Sequence, residues 1–169
     1  AASDVYKRQV STLISLVDCA PTIMECVGAE PTPEDATLPG RSLFDIAAGS
    51  DPDRAAFSEY HAAASMTGTF MVRDGDLKLT YFVGMEPELF DLGTDPDETR
   101  NLASEPEYAD VLARMVARLR EICDPEDVDR RARADQAATI AKHGGREELL
   151  KRGDFGYSPA PGQKPEFSA

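Results

Sequence analysis

The stretch Glu88-Leu89-Phe90-Asp91-Leu92, followed by Asp95-Pro96-Asp97-Glu98 and Asn101-Leu102-Ala103, constrains this chain more than any other. Leu89, Phe90 and Leu92 stand among acidic residues as a short strand does, and Asp95-Pro96 ends any strand because proline has no amide proton for a ladder. Glu98 and Asn101 lie beyond that turn, where polar side chains reach exposed backbone groups. Ser104-Glu105-Pro106-Glu107 then announces a helix. The stretch reads as strand, turn and helix start.

Three further strands are expected upstream, over residues 56–60, 70–73 and 77–83, with the fourth at 88–91. Asp74-Gly75-Asp76 between the second and third is a hairpin signal, since glycine supplies the positive φ that the turn needs. The result is an α+β fold: a small antiparallel sheet of about four strands packed on one helix. The covering helix is expected over 105–123, with Tyr108, Val111, Leu112, Met115, Leu119 and Ile122 as its apolar stripe and Ser104 with Glu107 capping its start. Four or five such side chains, each contributing roughly 2 kcal/mol when buried, make a local core that can fold by itself.

Around this unit the pattern is looser. Leu16, Val17, Ala20, Ile23, Met24 and Val27 have helical spacing, with regular helix from about Asp18 and a stop at Gly28. Pro31, Pro33 and Pro39 mark a surface connection, and Ser42 with Asp45 starts a short helix over 43–48 that Gly49 ends. Beyond Asp124-Pro125-Glu126-Asp127 a polar helix is expected to about His143, with Val128 and Ile140 its sizeable apolar residues. Gly144-Gly145 ends it, another short helix covers 146–152, and residues 153–169 form an extended tail rich in Gly, Pro and aromatics. The division is 1–9, 10–50, 51–123 and 124–169. Residues 1–9 have no periodicity and resemble translated adapter remnants at the ends of metagenomic gene models, so they are expected to be a non-native leader on a truncated gene product.

The net charge of −13 over 169 residues excludes nucleic acid as a natural partner, because phosphate binding needs a basic patch. The Lys and Arg of 114–133 and 146–152 are interleaved with acids, as on a solvated helix face. With 41% hydrophobic residues the chain can build a core, while no apolar run approaches the ~20 residues that span a bilayer. Cys19, Cys26 and Cys123 lack the paired spacing of a metal site and read as buried small apolar residues in a reducing, cytoplasmic compartment.

Four groups of residues, in order, resemble one family. Leu16-Val17-Asp18 with Ala20-Pro21-Thr22-Ile23 is similar to its "LVD, then APT" helix, and Pro39-Gly40-Arg41-Ser42-Leu43 to its "GRSL" turn. Glu59-Tyr60, Met71-Val72-Arg73 and Lys78-Leu79 resemble its "EY, then MVR, then K" strands, and the stretch from Glu88 to Ala103 its closing segment. The family is the sulfatases of the alkaline-phosphatase superfamily, and the resemblance covers Val10 to about Ile122. It implies that 10–50 is the end of a large α/β domain and 51–123 a C-terminal subdomain. It also implies a parent that hydrolyses a small sulfate ester with a formylglycine nucleophile, made from Cys or Ser in a Cys/Ser-x-Pro-x-Arg motif, beside Ca2+.

No cysteine here stands in that full motif, and the family's metal ligands lie upstream of Val10, so the chain is expected to hold no catalytic residue, metal or cofactor of its own. His61, opening the small-residue loop Ala62-Ala63-Ala64-Ser65-Met66-Thr67-Gly68 after a strand, is the candidate substrate-binding residue; its bland reading is a surface or capping imidazole. His143 reads as a cation at a helix end, Arg41 as a structural contact, and Arg73 and Lys78 as solvent-facing. The acids Glu86, Glu88, Asp91, Asp95, Asp97 and Glu98 read as a solvated face with internal caps, not a Ca2+ loop. The expected partners are an absent N-terminal catalytic domain and, through the tail, another subunit. Two other readings stay open: a phosphonate or phosphate ester hydrolase fragment, and a non-catalytic binding or oligomerisation module.

Overall fold

The computed structural model describes residues 9–50, 53–61, 65–151, 154–155 and 167–168. The leader 1–8, the alanines 62–64 and the tail segment 156–166, with Tyr157 and Ser158 to Pro161, lie outside the described residues. The chain divides into two compact units, Ala1–Pro125 and Glu126–Ala169. The segments 10–50 and 51–123, distinguished by sequence, thus fall within one unit.

The first unit is built on an antiparallel meander, β1 (Ala56–Tyr60), β2 (Thr69–Asp74), β3 (Leu77–Phe82) and β4 (Glu88–Asp91), in sequence order. Asp74 pairs with Leu77, so Gly75 and Asp76 make a two-residue connection in which Gly75 takes φ 59. Directly opposed residues share a face. Val72, Leu79 and Leu89 form one row across three strands, Phe70 and Tyr81 the next. Phe70, Val72, Leu79 and Leu89 are fully buried, beneath α3 (Ala109–Ile122), which packs on β2 and β3. Met115 and Leu119 supply the helix side of this core, while Ile122, expected in the stripe, is exposed.

The start of α3 differs from its sequence reading. A 3-10 turn, Pro106–Tyr108, precedes it and Tyr108 takes the cap position without a side-chain cap, so Ser104 does not cap it. Pro106 is the reason: its fixed φ suits a first turn, and the regular helix starts behind it.

The closing stretch seals the sheet. Beyond β4, Leu102 N–H donates to Leu89 O at 2.8 Å, and Leu89 N–H donates to Asn101 Oδ1 at 3.0 Å. Asn101 also accepts from Ala103 N–H at 2.9 Å and donates from Nδ2 to Pro87 O at 3.3 Å. One side chain thus does for the outer edge of β4 what a fifth strand would do, and edges need such cover. Glu98, with φ 53, sends its carboxylate to Lys78 Nζ at 2.6 Å. Lys78, expected in solvent, is therefore a partly buried ion-pair partner.

N-terminal to the sheet, α1 (Cys19–Val27) ends at Gly28 with φ 68, and α2 (Leu43–Ala48) starts on Ser42, whose Oγ accepts from Phe44 N–H, and ends at Gly49 with φ 91. α1 has no buried residue; Leu16 just before it is 87% exposed and Val27 71%. Of its apolar face only Met24 is half-buried, and Val17, Ile23 and Val27 stay exposed among the described residues. Cys19 and Cys26, expected to be buried, are exposed for the same reason, and Cys123 is half-buried.

In the second unit α4 (Pro125–Lys142) is polar around its circumference and carries i,i+4 pairs, Arg131 with Asp127 at 2.9 Å and Arg133 with Asp129 at 2.7 Å. α5 (Arg146–Lys151) follows, and in the tail β5 (Asp154–Phe155) pairs antiparallel with β6 (Phe167–Ser168). No helix among the described residues is long and apolar enough to cross a membrane.

Candidate functional site

Two places in the first unit hold the residues that the sequence singles out. The first is a charge centre that joins two sequence motifs. Asp18 is fully buried, and its carboxylate accepts from Ser15 N–H at 2.7 Å, Arg41 N–H at 2.9 Å and Arg54 Nη2 at 3.0 Å. Burial alone would push its pKa up; the Arg41 and Ser15 amides and the Arg54 guanidinium outweigh that and hold the carboxyl below its ordinary range. Asp18 O accepts from Thr22 Oγ1 at 2.6 Å, and Thr22 Oγ1 in turn accepts from Leu43 N–H at 2.9 Å. Ser42 Oγ donates to Glu25 Oε2. A Cβ on Gly40 would stand 2.2 Å from Val17 O, so this contact requires glycine. The Leu16-Val17-Asp18 and Gly40-Arg41-Ser42 motifs are one structural joint, and Arg54 ties it to the approach of β1. It is the main chain of Arg41 that meets the carboxylate.

The second place is the end of the sheet where β1 stops. His61 directly follows β1, and its ring meets Phe70 edge-on, with centroids 5.3 Å apart and planes at 75°. Phe70 lies on the face that α3 covers, so the imidazole sits on the core side, 21% exposed, with Nε2 3.8 Å from Glu59 Oε2. On the opposite face, Tyr60, Thr69 and Phe82 stand in one row across β1, β2 and β3. Together with Ser65, Met66, Thr67 and Met85 they line an open cavity of about 370 Å3. His61 and this cavity share an end of the sheet and occupy opposite faces.

The remaining candidates have local roles. Asp91 Oδ1 accepts from Gly93 N–H at 3.0 Å, and Asp95 accepts from Thr99 Oγ1 at 3.0 Å and Arg100 N–H at 2.9 Å, the internal caps expected of the acidic string. The Arg100 amide, then the Thr99 amide and hydroxyl, hold the Asp95 carboxyl below its ordinary range. Arg73 Nε donates to Gly75 O at 3.0 Å across the hairpin, and His143 is exposed at the end of α4. Among the described residues no group of three or more His, Cys, Asp or Glu is placed to hold a metal ion. Cys19-Ala20-Pro21 repeats the spacing of the nucleophile motif, yet Ile23 stands where that motif has arginine. Ser50, Pro52 and Arg54 do stand at the spacing of that motif, but Arg54 is held by the Asp18 carboxylate at 3.0 Å and residues 51–52 lie outside the described residues. No described group fits Ca2+.

This architecture is that of a known closing subdomain. The chain belongs to the family described as N-sulphoglucosamine sulphohydrolase, C-terminal, whose model matches residues 4–124. That match begins six residues before Val10, where the motif resemblance starts. Arylsulfatase K of Danio rerio is 35% identical over 131 residues, covering 72% of this chain and 24% of that protein. Among solved structures, a 2-O GAG sulfatase is 30% identical with a TM-score of 0.51, over 72% of this chain and 26% of its own. The phosphonate monoester hydrolase SpPMH of Silicibacter pomeroyi is 26% identical with a TM-score of 0.54, over 66% of this chain and 25% of its own. The chain spans about a quarter of the length of the relatives it matches.

Proposed function

We propose that this chain is the closing part of a sulfuric ester hydrolase, a subdomain that completes the fold and forms one wall of the cleft. The formylglycine nucleophile and the Ca2+ ligands would come from sequence upstream, since the matching family model is that of a C-terminal part and no described group fits a metal ion. The family match over residues 4–124 carries this reading. The uncovered apolar face of α1 supports it, because a face with Ile23 and Val27 in water is built to be covered, here by the larger domain of the same polypeptide. His61 is the residue of this chain proposed to reach the substrate or its leaving group, its ring backed by Phe70 and Glu59.

The likeness to a phosphonate monoester hydrolase favours one second reading, in which the same subdomain closes an enzyme for phosphonate esters. Both are tested on the protein translated from the whole reading frame by comparing kcat/KM for 4-nitrophenyl sulfate and 4-nitrophenyl phenylphosphonate. Sulfate is expected to be preferred; preference for the phosphonate would establish the second reading. In that protein His61→Ala is expected to lower kcat/KM by at least about tenfold, ~1.4 kcal/mol of transition-state stabilisation, with little change in Tm. An unchanged kcat/KM with a lowered Tm would make the imidazole a packing partner of Phe70.

A further inference from the structure

We propose that the notch between Tyr60 and Phe82 binds a planar, uncharged ring; on the reading of the chain as the closing part of an ester hydrolase, that ring is the aryl group of the substrate's alcohol portion. The notch follows from register. Tyr60 pairs with Thr69 and Thr69 with Phe82, so a small residue separates two aromatic residues on one face. Two strand spacings set the aromatic residues about 10 Å apart. A third ring between them would lie about 5 Å from each, within the range of favourable aromatic pairs.

The lining has the chemistry of an apolar ring site. None of its seven residues is charged, in a chain in which 29% of residues are. Thr67 Oγ1 donates to Val83 O at 2.8 Å and Ser65 Oγ donates to Thr67 O, so both hydroxyl protons are directed to backbone carbonyls. The Thr67 bond, with Val83 N–H donating to Gly68 O at 3.2 Å, ties the two loops that wall the cavity. Met66 and Met85, 84% and 56% exposed, form a rim of flexible thioethers that pack well on ring edges. An anionic sugar would bring charge against a wall with no cation to receive it, at the cost of desolvation. A neutral aromatic ring meets no such penalty.

The 169-residue chain carries five methionines, so a [13C-methyl]methionine spectrum reports on the cavity through Met66 and Met85 and on controls through Met24 and Met115. With 4-methylphenol as probe, Met66 and Met85 are expected to shift saturably while Met24 and Met115 stay in place. Tyr60→Ala, at an exposed position, is expected to weaken binding about fivefold, and Thr69→Leu, which fills the notch, to abolish it. Shifts that do not saturate, equal shifts at Met24, an equal response to methyl α-glucopyranoside, or binding that survives Thr69→Leu would overturn the proposal. The titration needs no turnover: ring binding without sulfate release by the whole protein sinks the sulfatase reading alone, and sulfate release without ring binding sinks the ring site alone.

Discussion

Replacing Asp18 with alanine is expected to destabilise the chain by about 3 kcal/mol or more, the cost of removing one partner from a buried ion pair. The carboxylate is fully buried and satisfies two backbone amides from separate segments as well as the Arg54 guanidinium. Without it, Arg54 keeps a buried charge that has lost its anion, and the Ser15 and Arg41 amides lose their acceptor. Acid has a related effect. The folded-state pKa of Asp18 is held below its unfolded value, so its contribution is fully present above about pH 4 and is lost as the pH falls through the folded value. Urea unfolding of wild type and Asp18→Ala at pH 7 and at about pH 2.5 checks both points, with the gap between them expected to narrow in acid. A gap below about 0.5 kcal/mol at pH 7, or one that widens in acid, would show that the joint does not rest on this charge.

Phe70→Ala is expected to cost about 4 kcal/mol, near the middle of the range for a fully buried aromatic, because β2, β3 and α3 close around that side chain. A loss of that size is a large fraction of the 5–15 kcal/mol that holds a typical domain together. The exposed control Tyr60→Ala, one row away on the other face, should change stability by less than about 1 kcal/mol. The comparison is made by urea unfolding at pH 7. Equal, small losses at both positions would mean that α3 does not cover the Phe70 face.

The meander was legible because its signals are local. Period-2 alternation, the Asp74-Gly75 turn and the Asp95-Pro96 stop each lie within a few residues, and the four strands stand within one residue of their expected ends. What escaped was set by distant partners. Asp18 reads as an ordinary polar residue at a helix start, and becomes a buried centre only when Arg41 and Arg54, 23 and 36 positions on, reach it. Lys78 reads as solvated because Glu98, its partner, is 20 positions away. The cysteines of α1 lack the spacing of a metal site and so read as buried small apolar residues, although burial depends on a covering surface that the described residues do not supply. His61 was legible as the residue after a strand, whereas its seat against Phe70 depends on which face the register gives it. The ring notch likewise has no sequence signature, since Tyr60, Thr69 and Phe82 become neighbours only once three strands are aligned.

The measurement that bears most directly on this account is inorganic sulfate release from 4-nitrophenyl sulfate, in the presence of Ca2+, by the purified 169-residue chain and by the protein translated from the whole reading frame. The chain alone, shown to be folded by slow hydrogen exchange in β2, β3 and α3, is predicted to release no sulfate above a blank, and the whole protein to turn over. Sulfate release by the chain alone, persisting after host enzymes are removed, would contradict the assignment of the nucleophile and metal ligands to sequence upstream.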